Sequence, residues 1–146
     1  MRKQRMYAPH TVSLICFRQG QPRLTVLRNV MLQAMDGRST LRTGDTEEND
    51  VRLYIPDFSG FLPPREYAAC PNPENHWTLQ TEGESAARCG FFVKGELTEP
   101  LELSEARERF DFVYLVAGYL VRDYGSPRMQ HIEVRSRVST RYFYQP

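Results

Sequence analysis

The chain has 146 residues, of which 40% are hydrophobic and 12% aromatic. That excludes wholesale disorder and predicts one domain with an ordinary core. Its 19 Lys+Arg against 18 Asp+Glu leave a net charge of +1, which excludes a coat that holds nucleic acid by charge alone.

Residues 1–9 read as a basic arm ending at Pro9. The stretch His10–Phe17 (HTVSLICF) alternates Val12, Leu14 and Cys16 with Thr11, Ser13 and Ile15, which predicts a strand with one buried face. After Gln19-Gly20-Gln21-Pro22, the run Leu24–Leu32 (LTVLRNVML) predicts a second strand. It would carry Leu24, Val26, Arg28, Val30 and Leu32 on one face and form a hairpin with the first. The segment 36–50 is polar and acidic, its net charge of −3 set by Asp36, Asp45, Glu47, Glu48 and Asp50 against Arg38 and Arg42. A short strand over Ser39–Arg42 is compatible with it. Val51–Ile55 (VRLYI) is a clear strand ended by Pro56.

Residues 57–76 have no period and contain Pro63, Pro64, Pro71 and Pro73, so a long functional loop is expected. Trp77–Leu79 suits a short strand. Another lies within Ala87–Leu97, where Gly90 and Gly95 suggest a bulge or a close backbone approach. Ser104 is placed to N-cap a helix over Glu105–Phe110, with Leu103, Ala106 and Phe110 on its apolar side. Phe112–Val121 (FVYLVAGYLV) is apolar on both faces and predicts a central, doubly buried strand. A turn at Asp123–Pro127 leads into Met129–Val138. There Ile132, Val134 and Ser136 face the core, while His131, Glu133, Arg135 and Arg137 face water or a partner. The tail 139–146 carries Tyr142, Phe143 and Tyr144. The sum is a mainly β domain over 10–138: a small β-barrel or sandwich of about six to seven strands, with one short helix and a long loop.

Motifs for catalysis or cofactors are missing: no phosphate-cradling glycine loop, no HExxH, no nucleophile elbow and no CxxC. Cys70, His76 and Cys89 have a spacing that matches no common zinc pattern. Cys16, Cys70 and Cys89 are odd in number, which favours reduced thiols over a disulfide framework. Glu96, Glu99, Glu102, Glu105 and Glu108 recur every three residues, as a solvated strip around a short helix would. The expectation is a binding or structural protein rather than an enzyme, with no metal and no cofactor. No apolar run approaches the ~18–20 residues that span a bilayer, and Met1–Arg5 lacks the apolar part of a signal peptide; a cytosolic setting without membrane contact is expected. Of the basic residues 17 are Arg, and only Lys3 and Lys94 are Lys. Interface use and genomic base composition both account for that bias. Trp77, Tyr142, Phe143 and Tyr144 are interface candidates on the same grounds.

One string is recognisable. Arg88-Cys89-Gly90-Phe91-Phe92-Val93-Lys94-Gly95-Glu96 precedes the short helix and Phe110-Asp111, and Gly125-Ser126-Pro127-Arg128-Met129-Gln130-His131 opens the last strand. With Thr11–Leu14, VLRNV and VRLYIP before them, these residues resemble the small minor capsid proteins of tailed bacteriophages and prophages, over about 10–138. The 36–50 insert, the Pro-rich 57–76 loop and the aromatic tail depart from that family's compact pattern. The resemblance implies a head-closure (stopper) or neck connector: a small β-barrel with a long loop, assembled in a ring, commonly twelvefold. The ring would sit between the portal or its adaptor and a tail-terminator or tail protein. DNA would pass through it without sequence-specific binding. Asp36, Asp45, Glu47, Glu48 and Asp50 would then line the lumen and keep DNA from sticking. Arg2, Lys3, Arg5, Arg135, Arg137 and Arg141 would pair with acidic surfaces of neighbours. The location implied is the virion, after assembly in the host cytoplasm. A tail-terminator or tail-completion protein is the nearest alternative, and a small ligand- or peptide-binding barrel the next.

Overall fold

The computed structural model describes residues 8–34, 50–81 and 89–139. They form six antiparallel strands closed into a barrel. The strands are β1 (His10–Arg18), β2 (Gln21–Ala34), β3 (Asp50–Ile55), β4 (Phe91–Lys94), β5 (Val113–Arg122) and β6 (His131–Ser139). Their order around the wall is β1-β2-β3-β6-β5-β4. Two helices accompany them, α1 (Pro64–Ala69) and α2 (Leu103–Arg109). The barrel, the β1–β2 and β5–β6 hairpins and the inward face of β6 agree with the sequence reading.

Local chemistry explains the differences. The β1–β2 turn is only Gln19-Gly20, both at positive φ (55° and 80°), as a two-residue turn matched to strand twist requires. Gln21 and Pro22 therefore belong to β2 rather than to the turn. Asn29 (φ 58°) is an extra residue where the β1–β2 register shifts between His10 and Thr11. It breaks the predicted single apolar face of β2. Before it Leu27 points into the barrel, Arg28 is exposed and Leu24 packs against a second cluster outside; after it Val30 and Leu32 point inward.

The interior holds Val12, Leu14, Leu53, Ile55, Phe92 and Val134 among others. The outer cluster is Ile15, Phe17, Phe91, Val93 and Val113, covered by Leu101 and Ala106. β1 is therefore buried on both faces, where its alternation predicted one. β5 reverses the other way. A bulge between Val116 and Gly118 divides it. Val113 packs under α2, but Leu120 beyond the bulge is 50% exposed, so the strand is doubly buried only in its first half.

Residues 56–81 are not a bare loop. They contain α1 and a 3-10 turn at Pro73–Asn75, and Trp77 forms a parallel bridge with Phe61. Trp77 and Leu79 enter the barrel core. The Gln80 side chain then acts as a short strand: it accepts from the Phe17 N–H (2.8 Å) and donates to the Phe17 carbonyl (2.7 Å). Gly90 lets the chain pass here, since a Cβ would lie 3.3 Å from Gln80 N, Gln80 O and Ile15 O. α2 begins one residue before the predicted Ser104 cap. Glu102 is its N-cap, and its N–H donates to Glu105 Oε1 (3.0 Å).

Candidate interface on the outer wall of the barrel

α2 and the chain leading to it cover one side of the barrel. The opposite side, built by β3, β6 and the second half of β5, is uncovered among the described residues. Strand register places its outward side chains in rows. Arg52, Arg135 and Gly118 stand across from one another; the next row is Tyr54, Glu133 and Leu120; His131 faces Arg122. Of these, Arg52, Gly118, Leu120, Arg122, Glu133 and Arg135 line a groove of about 340 Å³.

Glu133 organises the groove. Its Oε1 accepts from Arg122 Nε (3.0 Å) and its Oε2 from Arg52 Nη1 (3.3 Å). Partial burial alone would raise its pKa. The Arg122 hydrogen bond and the charges of Arg122, Arg52 and His131 outweigh that and hold the carboxyl below its ordinary value. Arg122 also donates from Nη1 to Tyr124 Oη (2.7 Å), and the Tyr54 and His131 rings pack with centroids 5.9 Å apart.

One carboxylate does not balance three guanidiniums. Arg52 Nε is buried without a hydrogen-bond partner, and Arg135 has no ion-pair or hydrogen-bond partner among the described residues. Like charges directly across a strand pair are unfavourable by about 0.2–1 kcal/mol. Gly118 makes the arrangement possible, because a Cβ there would sit 3.3 Å from Arg135 Nη2. Exposed apolar side chains flank the cations: Leu120, Tyr124 and Met129. Arginine beside exposed aliphatic and aromatic surface is the composition of a protein interface. An incoming carboxylate would satisfy the spare guanidinium donors in bidentate geometry.

The residues singled out from sequence fall in different places. Arg135 lies in this groove. Arg137, next outward on β6, is exposed opposite Asp50, the first residue of β3. Trp77 is corrected: at 5% exposure, its ring against Phe61 and its Nε1–H donating to Ser59 O (3.2 Å), it is a core residue and offers nothing to a neighbour. Arg2, Arg5, Asp36, Asp45, Glu47, Glu48, Arg141, Tyr142, Phe143 and Tyr144 lie outside the described residues, as does the side chain of Asp50. Arg52 and Arg122 were missed as site residues. Their signal was the register of β3 and β5 against β6, which sequence spacing alone does not supply.

Among the described residues no three His, Cys, Asp or Glu side chains converge as a metal site would require. Cys16, Cys70 and Cys89 are free thiols, and burial raises the Cys16 pKa. No described helix is long and apolar enough to cross a membrane. No curated protein and no solved structure matches the chain. A family model does match it, over residues 17–137, and the chain belongs to that family, a family of unknown function (DUF6751).

Proposed function

We propose that this chain is a structural virion protein at the head-to-tail junction, a head-closure or neck connector that assembles as a ring through which the genome passes. The observation that carries the reading is the outer-wall groove, where Arg52, Arg122 and Arg135 face outward with a single carboxylate between them. A ring subunit needs two different faces that meet by rotation. A cationic wall with unspent guanidinium donors is one such face, and the partner it fits is an acidic surface on the adjacent subunit, the portal or its adaptor. The closed barrel and the resemblance of the VKGE and GSPRMQH segments to minor capsid proteins support the same assignment. In this reading the acidic stretch from Asp36 to Asp50 belongs to the lumen, where like charge lets DNA slide. A tail-terminator or other tail protein would close the far side.

The test is sedimentation of the purified chain alone and with portal protein. The proposal expects a complex or ring that weakens as salt rises, because the contact is ionic. A chain that stays monomeric and ignores the portal at low salt refutes it.

A further inference from the structure

β2 changes partners along its length. Its last four residues pair with β3, and the rest pairs with β1 alone. The Gln19-Gly20 turn fixes which backbone groups are used. In a two-residue hairpin the pair closing the turn, Arg18 and Gln21, exchanges hydrogen bonds, and so does every second pair beyond it. Leu24 and Val26 therefore turn their N–H and C=O groups away from β1, toward an edge on which no described strand lies. Phe17, in the same phase on β1, shows the consequence: its outward N–H and C=O are taken by the Gln80 side chain. Among the described residues, the edge at Leu24 and Val26 has no equivalent.

This edge runs along a cleft of about 390 Å³. One wall is apolar, formed by Leu24, Pro22 and Pro100. The other carries Arg23, Tyr67 and His76, with Glu74 at the exposed rim. Arg23 stands opposite Cys16 in the β1–β2 register, on the strand face that points inward. It has no hydrogen-bond or ion-pair partner among the described residues. Tyr67 is 1% exposed, and its hydroxyl is fully buried beside the Cys16 sulfur. The Arg23 guanidinium thus awaits an acceptor on one side of a strand edge whose other side is apolar.

We propose that this cleft binds an extended peptide segment of a partner protein, added to β2 as a further strand, with an acidic side chain set against Arg23. Main-chain bonds to Leu24 and Val26 supply affinity, and alternation of side chains supplies specificity. The residue across from Leu24 faces the apolar wall. Its neighbour across from Arg23 faces the guanidinium and is Asp or Glu. The site needs no ring, so it stands independently of the connector reading.

The probe is acetyl-Lys-Val-Thr-Val-Glu-Val-Lys-amide, titrated into the 15N-labelled full chain, with the Glu-to-Gln peptide as its control. The expected result is amide shifts centred on Leu24 and Val26, and binding about fivefold weaker for the Gln peptide. Arg23→Ala should remove the difference between the two peptides. Val26→Pro, which deletes an edge N–H but no β1–β2 ladder bond, should lose binding while the rest of the amide spectrum stays native. The proposal is overturned by any of four results: no shifts at these amides up to millimolar peptide, equal binding of both peptides, shifts centred on the Arg52–Arg135 groove, or concentration-dependent broadening of Leu24 and Val26 without peptide. The last would mean that a second copy occupies the edge.

Discussion

Trp77 is the only tryptophan in the chain, and it separates two pictures of the segment 56–81. In one the segment is a loop that presents an aromatic anchor to a neighbour. In the other, which the fold supports, it is part of the barrel core. Replacing Trp77 with Ala removes about 200 Å² of buried surface, worth about 5 kcal/mol at 25 cal/mol per Å². It also removes the indole bond to Ser59 O and the edge-on contact with Phe61. Large-to-small aromatic substitutions in cores cost about 3–5 kcal/mol, so about 4 kcal/mol is expected. Unfolding entropy of about 2.1 cal/mol/K per residue gives about 0.3 kcal/mol/K for this chain, so Tm should fall by about 13 °C. Trp77→Phe keeps the ring but loses the indole donor, and should cost about 1–2 kcal/mol. Calorimetry on the isolated subunit measures both. The native protein should show blue-shifted tryptophan emission, protected from acrylamide, that moves red on unfolding. Solvent-like emission in the folded protein, or a Trp77→Ala loss below about 1 kcal/mol, would refute the core assignment.

Other outcomes follow from single contacts. Gly90→Ala places a Cβ against three backbone atoms that cannot swing aside, and should destabilise by about 1–3 kcal/mol in urea unfolding. Gly118→Ala meets only the end of the Arg135 side chain, so its cost should be below about 1 kcal/mol while portal binding changes. Glu133 has a folded-state pKa below its unfolded one, so its ion pairs stabilise fully above the unfolded value of about 4.3 and lose that contribution as pH falls through the folded value. Glu133→Gln should therefore flatten the acid limb of the stability profile. Charge reversal of Arg52 and Arg135 together should leave a folded barrel by circular dichroism and abolish incorporation into particles.

The class of fold was legible because alternation is a strong signal where a strand has one wet face. β6 shows it best: Ile132, Val134 and Ser136 are buried, and Arg135 and Arg137 are exposed. Reading failed where backbone irregularities change phase. Asn29 flips β2 and the Val116–Gly118 bulge divides β5, and neither is visible as composition. It failed again where side chains replace backbone. Proline density at Pro63, Pro64, Pro71 and Pro73 concealed a segment that seats Trp77 and Leu79 in the core and Gln80 on the β1 edge. The candidate interface was half legible. Arg135 and Arg137 stood out on β6, but Arg52 and Arg122 join them only through cross-strand register. The edge of β2 left open among the described residues was not legible, since it depends on β2 outrunning β3.

The proposed function amounts to a position in a particle. A reconstruction of intact particles carrying this chain, focused on the head-to-tail junction, tests it most directly. The expected result is a ring of six-stranded barrels between portal and tail, with the Arg52–Arg135 wall against an acidic neighbouring surface. Particles complete at that junction without this chain, or density for it elsewhere in the capsid or outside the virion, would contradict it.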